Sequence, residues 1–275
     1  MMLRVAMDQV VRGLVSASKS IIKCRRLEGK VAIVTASTQG IGFSVARRLA
    51  QEGAKVVISS RREANVNSAL AQLKAEGLEV SGVICHVGKE EDRHKLLNET
   101  ISKYGGLDIL IPNAAVNPAV GSVMECSESV WDKIFEINVK STFLLMKESL
   151  PYLRKSKSPS IVIMSSISGY QPFSLLGVYS ITKTTLLSLN KTVAEELASE
   201  GIRVNAIAPG VIKTKFAKAL YESEEANEAT LSVIPMQRLG EPDEVAAVAA
   251  FLASDDASYI TGETIVAGGG MRSRL

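Results

Sequence analysis

Tyr179 is the only one of six tyrosines followed four residues later by a lysine, in the run Tyr179-Ser-Ile-Thr-Lys183. On a helix, positions i and i+4 share a face. A phenol alone titrates near 10 and is a poor acid–base group at neutral pH. An ammonium held beside it favours the phenolate and is expected to lower that value toward the working range. Upstream, the apolar run Ile161-Val-Ile-Met-Ser-Ser166 reads as a strand that delivers the Ser166 hydroxyl to the carboxyl edge of a sheet, where α/β folds bind ligands. There the serine can donate to a substrate oxygen while Tyr179 supplies a proton. Taken singly, each feature has a bland reading, a helix-surface pair for Tyr179 and Lys183 and a turn residue for Ser166.

A second chemistry-bearing stretch runs Val31-Ala-Ile-Val-Thr-Ala-Ser-Thr-Gln-Gly40-Ile-Gly42-Phe, strand into glycine turn into helix. Such a turn offers unpaired N–H donors and a partial positive charge to a dinucleotide pyrophosphate. Tight packing alone also explains glycines there. The end of the next strand, Val56-Val-Ile-Ser-Ser60-Arg61-Arg62, carries no acid for a ribose 2′-hydroxyl and two arginines instead. A cationic pair opening a helix opposes the helix dipole unless an anion is present, and guanidinium donors suit the 2′-phosphate of NADP(H). The alternative is a solvated arginine pair.

The elements that position these residues are legible from residue 30 onward. Short β-branched runs at 31–34, 56–58, 80–85, 108–111, 161–164, 204–208 and 264–266 alternate with helical stretches that include 92–103, 131–150 and 179–197. This is the βαβ pattern of a parallel sheet. The expected fold class is α/β, one Rossmann-type doubly wound sheet of about seven strands with helices on both faces. Gly105-Gly106, Pro209-Gly210 and Gly240-Glu-Pro242 punctuate it. The stretch Lys213–Pro235 is charged and weakly patterned, and reads as one or two short helices over a pocket or as a plain surface excursion.

The net charge of +3 sits in residues 1–28, whose six basic and two acidic residues give +4 and leave −1 on the remainder. Nucleic-acid binding therefore gains no support, and a basic N-terminal extension, residues 1–28, stands before a domain of residues 29–275. Cys24, Cys85 and Cys126 are scattered, and with only His86 and His94 they assemble no metal motif. No metal is expected. No apolar run reaches the roughly 20 residues needed to span a bilayer, so an integral membrane protein is not expected either.

Thr35-Ala-Ser-Thr-Gln-Gly40-Ile-Gly42, Asn113-Ala-Ala115, Asn138, Ser166, Tyr179-x-x-x-Lys183 and Pro209-Gly210 follow one another in an order and spacing that resemble the classical short-chain dehydrogenase/reductases, over residues 29–271. The resemblance implies a catalytic set of Ser166, Tyr179, Lys183 and Asn138. Tyr179 would be the general acid in carbonyl reduction, Ser166 would orient the carbonyl, and Lys183 would also bind the nicotinamide ribose. Asn138 would hold a proton-relay water, or else only satisfy a helix kink. The implied NADP(H) site comprises Ala36, Thr38, Gln39, Gly40, Ile41, Gly42, Ser60, Arg61, Arg62, His86, Val87, Asn113, Ala114, Ala115, Tyr179, Lys183, Pro209, Gly210, Ile212 and Thr214. Three positions depart from the family pattern. Ala36 replaces the first glycine of the turn, Pro112 replaces an asparagine, and His86 stands where an aspartate usually contacts adenine.

Ile84-Cys-His-Val-Gly88, Asn113-Ala-Ala-Val-Asn-Pro118 and Ala257-Ser-Tyr-Ile-Thr-Gly-Glu263 resemble the member 4 branch of that family. The branch implies a peroxisomal NADPH-dependent carbonyl reductase that also acts on retinoids, assembled as a homotetramer. The C-terminal Ser273-Arg274-Leu275 keeps the pattern read by the peroxisomal import receptor. The basic extension would also suit a mitochondrial presequence, which leaves mitochondrial or dual targeting open. An enoyl thioester reductase and a non-catalytic NADP(H)-binding scaffold are the competing functions. A substrate pocket is expected along Val116, Asn117, Phe173, Leu175 and Leu176, closed by the 213–235 segment.

Overall fold

The computed structural model describes residues 25–118, 120–174 and 176–273. Cys24, most of the N-terminal extension, Leu175 and the last two residues of the C-terminal Ser-Arg-Leu tripeptide lie outside the described residues.

Seven strands form one parallel sheet: β1 Val31–Val34, β2 Lys55–Ser60, β3 Val80–Ile84, β4 Ile109–Ile111, β5 Ser160–Met164, β6 Arg203–Pro209 and β7 Thr264–Ala267. Their spatial order is β3-β2-β1-β4-β5-β6-β7, so the winding reverses between β1 and β4. Such a switch point opens a crevice at the carboxyl ends of the strands.

Both faces of the sheet are buried, which is why the strands are continuous apolar runs rather than alternating ones. Alternate residues of one strand face opposite layers. Ala32, Val34, Val56 and Ile58 pack with Val45 and Leu49 of α1 (Gly40–Gln51), Ala69 and Leu73 of α2 (Glu63–Ala75), and, later in the chain, Val245 and Ala249. Ile33, Val57, Leu110 and Ile163 pack in the other layer with Leu96 and Leu97 of α3 (Glu90–Tyr104). That layer also holds Leu145 and Leu186.

Local sequence explains where α3 begins and ends. Glu90, Glu91 and Asp92 fill its first turn, complementing the helix dipole, and Gly105 closes it at φ 82°. The single expected helix over 131–150 is instead three pieces: α4 Glu128–Phe135, a wide π turn Glu136–Lys140, and α5 Ser141–Leu153. Then follow α6 Gly177–Leu197, α7 Glu224–Ser232 and α8 Pro242–Ala253. A capping box of Glu241 and Glu244 starts α8, with Pro242 in its first turn. Arg26 and Leu27 already belong to this packed body, since Leu27 is fully buried and Arg26 donates twice to the Glu52 carboxylate at 2.8 Å.

Candidate active site

Ser166 follows β5 directly and caps the short turn Ile167–Gly169. Its Oγ accepts from the Ser168 amide at 3.2 Å and from the Ser168 hydroxyl at 2.9 Å. Tyr179 lies in the first turn of α6, and Lys183 one turn further along is buried. The two elements are drawn together at Gly169, where an added Cβ would lie 2.9 Å from both the carbonyl carbon and oxygen of Lys183. Thr184 Oγ1 donates to the Gly169 carbonyl at 2.8 Å, and Ser165 Oγ donates to the Lys183 carbonyl at 2.9 Å. The Ser166 turn and the Tyr179 helix are thus one rigid unit.

Lys183 Nζ donates to the Met164 carbonyl at 2.8 Å and stands 5.4 Å from the centroid of the Tyr179 ring. Burial depresses Lys183 to about 7. It pushes the Tyr179 phenol up to about 12, against a downward pull from its hydrogen bond with Ser166. The phenol thus moves up, opposite to the expected lowering by Lys183: desolvation is the larger effect, and the group that pulls it down is Ser166 rather than the lysine, whose own charge is disfavoured by burial.

Asn138 sits in the middle of the π turn and is fully buried. Its Oδ1 accepts from the Val116 amide at 2.8 Å, and its Nδ2 donates to the Val116 carbonyl at 3.0 Å and to Thr182 Oγ1 at 3.1 Å. Both amide protons are thereby used. Thr182 Oγ1 in turn donates to the Tyr179 carbonyl at 2.7 Å. This chain of bonds ties the loop that follows β4 to the helix that carries Tyr179. Sequence reading missed Thr182, although a hydroxyl residue beside the lysine on a buried helix face is a usable signal.

At the switch point lies a cavity of about 350 Å³ lined by Ala36, Thr38, Gln39, Ser60, Arg61, Arg62, His86, Val87, Ala114 and Ala115. These predicted residues come from four separate strand ends. Asn65, Cys85 and Ile137 complete the lining and were not foreseen, and Val116, expected in the substrate pocket, lines this cavity as well. Gly42 supports the wall: an added Cβ would fall 2.5 Å from both the Ala36 carbonyl oxygen and Asn113 Nδ2. Asn113 Nδ2 donates to the carbonyls of Thr35 and Ala36 at 2.9 and 3.1 Å, so it braces the turn. Ile41 packs against the core beneath the turn. Arg61 and Arg62 are exposed and form no ion pair among the described residues. Arg62 is the N-cap residue that immediately precedes α2. Unpaired guanidinium groups at a helix start, beside a glycine turn with a bare helix N-terminus, could hold anionic groups of a bound nucleotide.

His86 leads out of β3. Its amide donates to Asp92 Oδ2 at 2.8 Å and its Nδ1 accepts from the Gly88 amide at 3.2 Å. A neutral imidazole whose Nδ1 accepts carries its proton on Nε2. Cys85 beside it is buried, and burial raises its thiol to about 12, which makes it a small core residue rather than a nucleophile. Among the described residues, no group of three or more His, Cys, Asp or Glu could hold a metal ion.

Pro209 ends β6, and Gly210 and Ile212 line a second cavity of about 240 Å³ with Gly268, Gly269 and Gly270 rather than the first one. Gly210 is required by crowding, since its Cβ would lie 2.8 Å from the Gly268 Cα. Thr214 reaches the glycine turn, its methyl lying 3.3 Å from the position of a Cβ on Gly40. The 213–235 segment forms a short turn Lys218–Leu220 and α7, held by Tyr221 donating to the Thr214 carbonyl at 2.8 Å. Ile234 buries with Ile167, Val211 and Met271, against which Phe173 packs. The Phe216 ring of this segment lies 5.8 Å from that of Tyr179 while staying 58% exposed.

The family model described as enoyl-(acyl carrier protein) reductase matches residues 35–272. Rabbit dehydrogenase/reductase SDR family member 4 is 52% identical over 259 residues, covering 94% of this chain and 100% of the relative. The human protein of that name is 51% identical and covered to 93%. Tropinone reductase-like 3 of Erythroxylum coca is 52% identical over 251 residues, with 91% of this chain and 96% of the relative covered. The chain belongs to the short-chain dehydrogenase/reductase family. A crystal structure of a candidate short-chain alcohol dehydrogenase from Sinorhizobium meliloti 1021 superposes with a TM-score of 0.85 at 32% identity, covering 90% of this chain and 98% of the other. A candidate gluconate dehydrogenase from Agrobacterium tumefaciens gives 0.87 at 26% identity, covering 92% and 99%. Membership makes the protein an oxidoreductase of the dehydrogenase/reductase type, and its Rossmann sheet implies a nicotinamide cofactor. No helix among the described residues is long and apolar enough to cross a membrane.

Proposed function

We propose that this protein is an NADPH-dependent carbonyl reductase that converts apolar or aromatic ketones, α-dicarbonyls and retinal to alcohols, and runs the reverse oxidation. The observation that carries this reading is the rigid union of Ser166, Tyr179 and Lys183 at the strand edge that also presents Arg61 and Arg62. NADPH, when bound, supplies the hydride for the carbonyl carbon. Ser166 donates to the carbonyl oxygen and Tyr179 transfers its phenolic proton to that oxygen. A phenol at about 12 is fully protonated at neutral pH and so is loaded for donation. Lys183, at about 7, can take and release protons at the working pH and so refill Tyr179. Because the Asn138 side chain is committed to Val116 and Thr182, the relay water that links Lys183 to solvent would be held by the Asn138 main-chain carbonyl. Arg61 and Arg62 hold the 2′-phosphate, and Thr38, Gln39 and Gly40 the pyrophosphate. Asn113, Ala114 and Ala115 support the cofactor, and Pro209, Gly210, Ile212 and Thr214 pack at its nicotinamide end.

The relatives named dehydrogenase/reductase SDR family member 4 support a place in that branch, and with it a homotetramer and peroxisomal import through Ser273-Arg274-Leu275. Mitochondrial or dual targeting through residues 1–28 is the alternative, and imaging a variant that lacks Leu275 separates the two. The description of the matching family model favours a second reaction, reduction of an enoyl thioester double bond. Initial rates of NADPH oxidation decide between them, measured on an aromatic ketone, an α-dicarbonyl, retinal and a trans-enoyl thioester and repeated with NADH. Carbonyl turnover with a strong NADPH preference is expected. Turnover of the enoyl thioester alone would replace the reaction, and tight NADPH binding without turnover would leave a nucleotide-binding scaffold.

A further inference from the structure

The strand end that lines the nucleotide cavity at His86 and Val87 is held from behind by a buried ion pair that takes no part in the chemistry above. Arg93 of α3 is 2% exposed, yet it is a full guanidinium. It makes a two-pronged contact with Glu148 of α5, through Nη2 at 2.7 Å and Nε at 2.9 Å, and its remaining Nη1 donates to the Val87 carbonyl at 2.9 Å. Asp92 beside it receives the His86 amide at 2.8 Å. Two consecutive residues of one helix therefore grip two consecutive residues of the loop, one through an N–H and one through a carbonyl.

Burying a charge pair costs desolvation that an apolar pair of similar volume would avoid, so its presence calls for a task that greasy side chains cannot perform. Only a branched donor can satisfy Glu148 and the Val87 carbonyl together. With the loop so fixed, the imidazole has one free ring nitrogen, Nε2–H, because Nδ1 is engaged by Gly88. A donor of that kind complements the ring-nitrogen acceptors of adenine.

We propose that Arg93, locked by Glu148, is a positioning residue for the adenine end of the cofactor, acting by fixing the His86–Val87 backbone. The proposal rests on the nucleotide reading of the cavity. It predicts a defect confined to the nucleotide half of the ligand, because the Ser166–Tyr179–Lys183 unit is tied together by bonds that Arg93 does not touch.

The test uses the full-length chain and 2′,5′-ADP, which carries the adenine half alone, measured by calorimetry beside NADPH kinetics. In Arg93→Lys the ammonium keeps the charge opposite Glu148 but releases Val87. Affinity for 2′,5′-ADP and the NADPH KM should each worsen about tenfold, the loss of one well-placed hydrogen bond. The kcat at saturating NADPH should stay within about twofold of the unmutated protein. The Arg93→Met, Glu148→Leu double variant removes both charges while keeping volume, and should show the same affinity loss whether it is less or more stable. A purely structural pair would change melting temperature and leave 2′,5′-ADP affinity of the folded variants untouched, which overturns the proposal. Failure of the unmutated protein to bind 2′,5′-ADP overturns the nucleotide reading itself, and the proposal with it.

Discussion

Lys183 Nζ stands 5.4 Å from the centroid of the Tyr179 ring and bonds instead to the Met164 carbonyl. Both groups are desolvated, and burial moves them in opposite directions, the lysine down to about 7 and the phenol up to about 12. The lysine has a consequence for stability. Its folded value lies below its ordinary 10.5, so between about 7 and 10.5 the unfolded chain binds more protons than the folded one. Stability therefore rises with pH across that window, by at most about 1.4 kcal/mol per unit from this group. Thermal melts at pH 7 and pH 9 should show the rise, and Lys183→Met should flatten it. An equal rise in the variant would remove Lys183 as its source.

Tyr179→Phe keeps the ring that packs against Phe216 and removes only the hydroxyl that engages Ser166. Carbonyl turnover should fall by at least about a thousandfold, within the range expected for loss of a positioned general acid. NADPH affinity should change little, which fluorescence titration will read. Turnover near that of the unmutated enzyme would place the proton donor elsewhere.

Residues that act within one local stretch were legible from the sequence pattern, and those foreseen residues that act through tertiary contact, such as Asn113 and Asn138, were legible only through the family resemblance. The strands announced themselves as apolar runs, and the Tyr179–Lys183 spacing is a property of one helix. Arg61 and Arg62 were visible because a strand end and a helix start are adjacent in the chain. Asn65 joins the same cavity from one turn into α2, a direction that depends on how the helix lies. Arg93 reads as one more charge on a polar helix until α5 brings Glu148 to it. The π turn at Asn138 escaped periodicity because one extra residue in a single turn barely shifts a 3.6-residue pattern. Its trace was the run Asn138, Ser141 and Thr142, polar side chains on a buried face, with both hydroxyls bonding back to carbonyls four residues earlier.

Arg61 and Arg62 flank the cavity without ion-pair partners among the described residues, so their removal should cost the folded protein little. Each charge-assisted bond to a phosphate contributes about 1.5–3 kcal/mol. Replacing both with alanine should weaken NADPH by at least about a hundredfold and NADH by no more than about threefold. Equal losses for the two cofactors would assign the pair to something other than the 2′-phosphate.

Asn138 spends its whole side chain on Val116 and Thr182 in a site with no solvent exposure. Asn138→Ala would strand the Val116 amide and carbonyl without partners, and a buried group left unpaired costs about 1–3 kcal/mol. Stability should drop by about 2–4 kcal/mol, seen as a lower denaturant midpoint with an unchanged slope. An unchanged midpoint would mean that the bond pattern across the π turn contributes nothing to holding the loop after β4 against α6.

Ala36 adopts φ 49°, a left-handed conformation that costs a residue with a Cβ about 1–2 kcal/mol. It is exposed, so no packing of its methyl offsets that strain. Ala36→Gly relieves it, at the cost of about 0.4–1 kcal/mol in added freedom of the unfolded chain. The net gain should be up to about 1 kcal/mol, a melting temperature raised by roughly 2–4 °C for a domain of this size. Because Ala36 also lines the nucleotide cavity, the same substitution should leave NADPH affinity equal or improved, since it withdraws a methyl from the wall. A fall in melting temperature would show that the alanine conformation is supported by contacts that outweigh its strain.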